Sequence, residues 1–272
     1  MKVYQDIIED YAIGRIADAF KRYSPKNVSF VDSEDKADFV ILYAHGQRRK
    51  VWWKASRLIK ENKDYAVVQL CLKSTTNPNV TDWLPIWNGS KIVWSYYNLS
   101  NACWNNQISY DFNFYHAPLG VDSELFKDLG RERVYKILTG THRKESLDET
   151  REALKKVGGI GITPNKLSDQ ALVLMYNECE YVSGLRKIEG FEMPVLEGLL
   201  CGARPICFDR KHYRNYFGDL AEYIPETDSD IVKNLVKIFK KKPRPVTREE
   251  KELVKKKFNW EVIIKGFWKK LC

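Results

Sequence analysis

The stretch EYVSGLRKIEGFEMPVLEGLLCGARPICFD, residues 180–209, decides the fold. Its first five residues predict a strand that ends at Gly184, and RPICFD predicts a second strand over 204–209. Between the two strands, Pro194 suits the first turn of a helix, because its ring fixes a helical φ and the N–H it lacks has no helical partner there. Strand, helix and strand in this order predict a parallel βαβ unit.

The same alternation extends in both directions along the chain. Continuous apolar strands such as ADFVILYA (37–44) and YAVVQLC (65–71) alternate with helical patterns in the first half, and YKILTG (135–140) begins a similar series in the second. Uniformly apolar strands are typical of a parallel sheet that helices cover on both faces. We therefore predict an α/β protein with two Rossmann-like, doubly wound domains facing across a cleft.

Proline and glycine between residues 117 and 122 mark the expected hinge between the two domains. The predicted N-terminal domain covers residues 1–118 and the predicted C-terminal domain covers residues 119–257. A last helix is expected over residues 258–272.

The start of the helix at Pro194 is a candidate anion site. The backbone N–H groups from Phe191 to Val195 lack helical partners, and the helix dipole adds positive character, so main chain alone can hold a diphosphate. Glu189 and Glu197 flank this position, and carboxylates repel a diphosphate unless they face hydroxyl groups. The ribose and the hexose of a sugar nucleotide offer such hydroxyls. The alternative is that Glu189 is an ordinary loop acid and Glu197 an acid favoured by the helix dipole.

The segment EGFEMPVLEGLLCGARPI (189–206) resembles the E-x7-E signature of retaining glycosyltransferases of family GT4, which have the GT-B fold. Three further segments resemble family motifs in the same order: IGR at 13–15, APLGVDSELF at 117–126 and FNWE at 258–261. The resemblance implies a transferase of the hexosyl type that moves a sugar from a nucleotide-sugar donor with retention of configuration. It also implies that the N-terminal domain binds the acceptor, that the C-terminal domain binds the donor, and that the last helix crosses back to the N-terminal domain.

The resemblance implies roles for individual residues. Glu189 would contact the transferred sugar and Glu197 the ribose hydroxyls. Arg143 and Lys144 would neutralise the diphosphate, with Lys187 as an alternative cation. His45, at a strand end, is either a catalytic or acceptor-contacting residue or a structural histidine. The other candidates for substrate binding are Gly14, Gly190, Phe191, Glu192, Met193 and Thr163.

The segment that would hold the donor base is short. Only GGIGITPN (158–165) separates two predicted helices, where the family has a further strand and helix, so we expect one βα unit to be missing. Ile162, Thr163 and Pro164 are candidates for the base pocket. UDP- or GDP-linked sugars are the expected donors. We expect no cofactor and no metal, because cations can stabilise the charge on the leaving diphosphate.

A formal charge of +9 favours anionic partners. The segment QRRKVWWKASR (47–57) mixes cations with tryptophans, as helices that dock on anionic membranes do; the alternative is one core tryptophan and a solvated face. Nucleic acid is not favoured, because no RNP, helix-turn-helix or zinc motif is present. The expected acceptor is a glycan, a lipid or a protein. We expect a cytoplasmic location, with peripheral contact at the membrane surface, since residues 1–14 carry acids where a signal peptide would be apolar.

Two other groups of residues each have two interpretations. The tryptophans at 83, 87, 94 and 104 either stack on acceptor sugars or fill the core. The six cysteines are scattered, which favours small core residues over a disulfide framework or a zinc site.

Three other functions stay open at this point. The chain could be a non-catalytic protein of the same fold that binds a sugar nucleotide or a glycan. It could be a basic module that binds nucleic acid or membrane. It could also be a nucleotide-sugar epimerase, which would need no acceptor.

Overall fold

The computed structural model describes residues 1–7, 11–45, 48–70, 72, 80–141, 143–165, 167–187 and 190–271. For residues 11, 48, 49, 143 and 228 it describes the backbone alone. Within this part of the chain, strands and helices alternate almost throughout. The elements up to the middle of the chain are β1 (Lys2–Asp6), α1 (Tyr11–Tyr23), β2 (Ser29–Phe30), β3 (Phe39–Ala44), α2 (Arg48–Lys60), β4 (Asp64–Gln69), α3 (Val80–Asn88), β5 (Ile92–Ser95), α4 (Leu99–Asn105) and β6 (Phe114–His116).

The second half continues the same alternation and ends in three helices. Short 3-10 turns precede α5 and follow α8, at Arg143–Glu145 and Gly218–Leu220. The elements are β7 (Tyr135–Leu138), α5 (Leu147–Val157), β8 (Gly161–Ile162), α6 (Asp169–Asn177), β9 (Cys179–Gly184), α7 (Met193–Leu200), β10 (Arg204–Phe208), α8 (Lys211–Phe217), β11 (Glu222–Ile224), α9 (Asp228–Phe239), α10 (Arg248–Lys257) and α11 (Trp260–Leu271).

The strands form two parallel sheets with the same order. The first is β2-β1-β3-β4-β5-β6 and the second is β8-β7-β9-β10-β11. In each sheet the second strand lies on one side of the first strand and the third strand lies on the other side. The direction in which successive strands are added across the sheet therefore reverses between β1 and β3 and between β7 and β9. Crevices at the carboxyl ends of such strands are where open α/β sheets bind ligands.

The chain divides into two compact units. The first unit is Met1–Gly120 together with Trp260–Cys272, and the second is Val121–Asn259. Each unit contains one of the sheets with its helices, so the prediction of two Rossmann-like α/β domains is confirmed.

Aromatic side chains dominate the interior of the first unit. β3 is buried along its whole length, as expected for a strand covered on both faces. α11 packs on α1, where Phe20 lies edge-on to Trp94, Phe267 and Trp268. Gly120 is required beside Trp260, because a Cβ there would lie 2.4 Å from the indole ring.

The tryptophans divide between the two interpretations offered by the sequence. Trp83, Trp87 and Trp94 are buried in the first unit, whereas Trp104 is 82% exposed. On α2, Trp52 packs against the core and its indole N–H donates to the carbonyl of Asp82 at 3.0 Å, whereas Trp53 is 79% exposed. The structure thus leaves two tryptophans, at 53 and 104, on the surface.

Several sequence expectations need correction or completion. α1 begins at Tyr11, so Gly14, a candidate for substrate binding, lies in the first turn of a helix. The helices α3 and α8 were not predicted: Pro85 lies inside α3, and α8 buries only Tyr213 and Phe217. Four cysteines, at 103, 179, 201 and 207, are buried free thiols as expected; Cys71 and Cys272 lie outside the described residues.

Among the described residues, no helix combines the length and apolar character needed to cross a bilayer. Nor do three His, Cys, Asp or Glu side chains gather there in a way that could hold a metal ion.

Candidate functional site

The carboxyl ends of β7 and β9 bring together the elements of the candidate site in the second unit. These strands are neighbours in the sheet, with Leu138 paired to Val182. Each is followed by a short loop and then a helix: α5 after β7, and α7 after β9. The described parts of these loops, 139–141, 143–146, 185–187 and 190–192, therefore lie at one edge of the sheet, at the point where the strand order reverses.

The loop after β7 is closed by a buried carboxylate. Glu145 is 4% exposed, and one of its oxygens accepts hydrogen bonds from the backbone N–H and the hydroxyl of Thr141, the latter at 2.9 Å. Gly140 makes this turn possible, because a Cβ at that position would lie 2.2 Å from the Cβ of Glu145. The sequence therefore needs glycine at 140 for close packing rather than for an unusual φ.

Arg186 lies between two buried acids. Its Nε is 2.9 Å from Oε1 of Glu145 and 3.6 Å from Oε2 of Glu192, and neither acid is more than 5% exposed at its side chain. A buried carboxylate costs several kcal/mol unless a cation compensates it. Arg186 therefore ties the two loops together, while 41% of its own side chain stays exposed at the sheet edge.

The charged cluster continues to the next strand. The hydroxyl of Tyr213 donates to Oε1 of Glu192 at 3.1 Å and lies 3.4 Å from Nη1 of Arg210. Arg210 also pairs with Glu226 at 2.8 Å and donates to the carbonyl of Lys187 at 3.0 Å. Burial alone would lower the pKa of Arg210, but the hydrogen bond to Glu226 and the electrostatic attraction of Tyr213, Glu226 and Glu192 together outweigh burial and raise the pKa. These contacts tie Glu192 and Lys187, on the two described sides of the loop before α7, to the residues that follow β10.

α7 carries the second acid of the E-x7-E segment. Pro194 lies in the first turn, as predicted, and Glu192 is the N-cap residue although its side chain makes no capping hydrogen bond. Glu197 is 1% exposed, and its Oε2 accepts a hydrogen bond from the hydroxyl of Tyr176 at 2.8 Å. Tyr176, at the end of α6 and itself buried, therefore sets the orientation of this carboxylate.

The other predicted residues of the second unit have different surroundings. Glu189 lies outside the described residues, as does the side chain of Arg143. Lys144 is exposed, and its carbonyl accepts a hydrogen bond from the backbone of Lys187 at 2.7 Å. Lys187 pairs with Glu149 at 2.9 Å. Thr163, after β8, has its hydroxyl 2.8 Å from that of Thr139, after β7, so the two threonines meet at the sheet edge.

The residues just before and at the start of α7 contribute mainly backbone to this edge. The ring of Phe191 packs against Tyr216, Phe217 and Phe258. Gly190 and Met193 are buried as well. The side chains of Phe191 and Met193 belong to the interior of the unit, and glycine has none, so only the main-chain groups of these residues are suited to an anionic ligand.

The sequence missed Arg186, Glu145, Tyr213 and Tyr176 as parts of this site. Arg186 stands beside Lys187, which the sequence offered only as an alternative cation, and no sequence pattern distinguishes Arg186 from Lys187. Glu145 and Tyr176 act through partners 41 and 21 positions away, a separation that only the fold bridges.

In the first unit, the corresponding edge carries Gly14 and His45. His45 follows β3 directly and is half-buried. A Cβ added to Gly14 would meet no described atom within 4 Å, so the backbone of α1 is accessible there. Asp6, at the carboxyl end of the neighbouring β1, pairs with Lys54 of α2.

A pocket of about 750 Å³ lies elsewhere in the second unit. It is lined by the end of α8, the residues leading into β11 and the end of α10, with Arg214, Arg244 and Lys257 among them. These residues lie at the amino ends of β10 and β11, the opposite sheet edge from Arg186 and Glu197. This pocket is therefore separate from the edge that carries the buried acids.

Comparison with known proteins identifies the fold. No protein-family model and no curated protein sequence matches the chain. Among solved structures, the chain is similar to Anabaena HepE in complex with UDP-glucose, with a TM-score of 0.73, 11% identity and coverage of 99% of this chain and 98% of that one.

Two further solved structures are similar. A glycosyltransferase from Rickettsia africae has a TM-score of 0.65 and 11% identity, with coverage of 99% of this chain and 97% of that one. Sucrose-phosphate synthase from Thermosynechococcus elongatus has a TM-score of 0.68 and 13% identity, with coverage of 87% and 73%. The chain therefore has the GT-B fold of these proteins.

Proposed function

We propose that this protein is a glycosyltransferase that transfers a hexose from a nucleotide-sugar donor with retention of configuration. One observation carries the proposal: the E-x7-E helix, α7, begins at the edge where the sheet order reverses, and it holds Glu197 buried and oriented by Tyr176. Structural neighbours that include a complex with UDP-glucose support the nucleotide-sugar donor.

The second unit would bind the donor. Backbone N–H groups at the start of α7 would hold the diphosphate. Glu197 would accept hydrogen bonds from the ribose hydroxyls, and Glu189 would contact the transferred sugar, as the GT4-like signature implies. Thr163 and Thr139 would lie near the base.

Cations near the loop after β7 would stabilise the charge that develops on the leaving diphosphate. Arg143 and Lys144 are the candidates from the resemblance, and Arg186 joins them because its side chain is partly exposed at the same edge. Cations in fixed positions lower the barrier because they need not reorganise as the bond breaks. We propose that the reaction needs no metal ion and no cofactor.

The first unit would bind the acceptor. His45 lies at its sheet edge, where it can contact an acceptor hydroxyl or assist its deprotonation. Departure of the diphosphate and attack by the acceptor on the same face of the sugar would give retention, with the leaving diphosphate taking up the acceptor proton. The donor would be UDP- or GDP-linked, and the acceptor a glycan, a lipid or a protein.

We further propose that α2 contacts an anionic membrane surface. Trp53 is exposed on this helix, and Lys50 and Lys60 are exposed there as well. Helices of this composition bury tryptophan at the headgroup boundary. The wild type should sediment with phosphatidylglycerol vesicles, whereas Trp53→Ala should stay in the supernatant. If both proteins sediment to the same extent, this contact is contradicted.

A donor screen tests the main proposal. A ligand that binds only the folded chain raises the free energy of unfolding by about 2.7 kcal/mol when its concentration is about 100 times its Kd. Thermal shifts with UDP-, GDP- and ADP-sugars should therefore single out one donor, whose slow hydrolysis is then measured.

Glu189→Gln should lose hydrolysis, and Glu197→Gln should weaken binding about tenfold or more by removing charge-assisted hydrogen bonds. Glu124→Gln is the matched control, because that acid is exposed in the same unit.

The possible outcomes separate the alternatives. Binding without turnover, retained in Glu189→Gln, would indicate a non-catalytic protein. Conversion of the donor to its epimer would indicate an epimerase. Strongly salt-dependent binding to polyanions that Glu197→Gln leaves unchanged would indicate a basic binding module. Any of these results would contradict the transferase.

A further inference from the structure

The exposed Trp104 is not explained by the fold or by the proposed donor site. Tryptophan is among the residues with the highest average burial, yet 82% of this side chain is exposed. It lies on α4, whose opposite face buries Leu99 and Cys103 in the core of the first unit. The helix is therefore anchored by its inner face, and Trp104 points away from that face.

Amide side chains surround this tryptophan. Asn101 and Asn105 lie one helical turn apart with Trp104 between them, so the three share the outer face of α4. Gln107 follows at the helix end, where its backbone N–H donates to the carbonyl of Trp104 at 3.0 Å. All four side chains are exposed. We call Asn101, Trp104, Asn105 and Gln107 the amide–tryptophan surface.

Helix stability does not account for this composition. Asparagine is a weak helix former because its amide competes with the backbone for hydrogen bonds, and an exposed tryptophan contributes no core packing. Lysine, glutamate or alanine at positions 101, 104 and 105 would support a seven-residue helix better. The residues of this surface are thus better suited to binding than to folding.

The surface is also free of charge. Residues 96–110, YYNLSNACWNNQISY, contain no acidic, basic or histidine side chain, although charged residues make up 30% of the chain. Nucleic acids and anionic membranes are bound through cations, which this segment does not offer. An amide both donates and accepts hydrogen bonds, as a sugar hydroxyl does. The indole ring offers a flat apolar face that matches the C–H face of a pyranose.

We propose that the amide–tryptophan surface binds an uncharged saccharide chain. α4 follows β5, which is parallel to β3, so the helix begins at the same sheet edge as His45 and leads away from it. A saccharide on this surface extends from that edge along α4. The proposal does not require transfer; where the proposed function holds, it narrows the acceptor from three classes to a glycan.

Titration calorimetry of the full-length protein with maltohexaose, cellohexaose and chitohexaose tests the proposal. At least one hexasaccharide should bind with a Kd of about 0.1 to 1 mM, unchanged by added salt. Trp104→Ala should weaken this binding about tenfold or more, and Trp104→Tyr, which keeps an aromatic face, should restore most of it. Trp53→Ala is the matched control, since Trp53 is 79% exposed on a basic helix, and it should leave binding unchanged.

The proposal is overturned if no hexasaccharide binds at about 10 mM, or if Trp104→Ala and wild type bind alike. It is also overturned if Trp104→Ala instead abolishes a concentration-dependent dimer, since the surface would then join two copies of the chain. Melting within about 2 °C of wild type shows that each variant is folded. Donor hydrolysis by Trp104→Ala should equal that of wild type, so the outcome for this surface is independent of the outcome for the donor site.

Discussion

The two units share one strand order but bury different chemistry. Among the described residues, the buried charged side chains are Glu145, Glu192, Glu197, Arg204 and Arg210, and all five belong to the second unit. The polar residues that the first unit buries in its described part are the uncharged Gln5, Gln69, Ser90 and Ser95, within a core rich in tryptophan and phenylalanine.

This difference shows how one topology can support two kinds of interior, one with compensated charges and one with aromatic packing. Buried charges are costly, and each must be compensated by a partner in a fixed position. In the second unit, ion pairs that link the ends of successive strands compensate the buried charges. These pairs produce a rigid, polar edge suited to a charged donor. The first unit relies on aromatic packing, and its surface beside β5 is neutral and rich in amides.

The largest expected effect concerns Arg204, which is 1% exposed and forms two hydrogen bonds with Glu250, at 2.9 and 3.0 Å. Glu250→Gln leaves this guanidinium without its carboxylate, so we expect a loss of about 3 kcal/mol in the free energy of unfolding. Urea denaturation measures this loss. Glu261→Gln, which removes a half-exposed acid on α11, should cost less than about 0.5 kcal/mol.

The same pair gives the second unit a distinct pH dependence. Burial raises the pKa of Glu250, but hydrogen bonds from Arg204 and from the backbone of Thr247 outweigh it and lower the pKa from 4.5 to about 2. The contribution of Glu250 to stability is therefore complete above pH 4.5 and is lost as the pH falls towards 2. In hydrogen exchange at decreasing pH, peptides from 121–259 should lose protection before those from the first unit. The reverse order would contradict the inference that the second unit depends more on ionised groups.

A smaller effect is expected at the sheet edge, where sequence and structure favour different cations. Arg186→Met leaves Glu145 and Glu192 without their shared guanidinium, and we expect a loss of about 2 kcal/mol because the arginine is partly exposed. Lys187→Met removes the partly exposed pair with Glu149 and should cost less than about 1 kcal/mol. Equal losses in thermal unfolding would show that Arg186 does not compensate the two acids.

Tyr176→Phe should act on binding more than on folding. It removes the hydroxyl that orients Glu197 but keeps the ring, which packs edge-on against Phe126. We expect donor affinity to fall about tenfold, or about 1.4 kcal/mol, since the carboxylate loses one hydrogen bond. The Kd from calorimetry measures this, and an unchanged Kd would show that Tyr176 does not position the acid.

The smallest effect is expected in the first unit. Gln69 is buried and accepts a hydrogen bond from the indole N–H of Trp87 at 3.1 Å. Gln69→Leu leaves that donor unpaired and should cost about 1 kcal/mol. Because no charge is involved, the loss should be the same at pH 4 and pH 7. A loss that varied with pH would mean that the first unit also depends on ionised groups.

Periodicity and β-rich runs were sufficient to predict the two sheets and most helices. α3 and α8 were missed because tertiary packing overrides their local signals: α3 contains Pro85, and α8 combines two basic residues and a histidine with Tyr213 and Phe217. In the site, the E-x7-E segment predicted α7 and Glu197. Arg186, Glu145 and Tyr176 could not be found this way, because their roles depend on contacts between strand ends that are distant in the chain.

The most direct test of the central claim is hydrogen exchange with and without the nucleotide sugar that gives the largest thermal shift. We expect protection in the segments 139–146, 185–187 and 190–197, with little change in 214–223 and 244–257, which contain the residues that line the pocket at the opposite sheet edge. Protection confined to that pocket would contradict the account. So would the absence of binding by every sugar nucleotide in the panel.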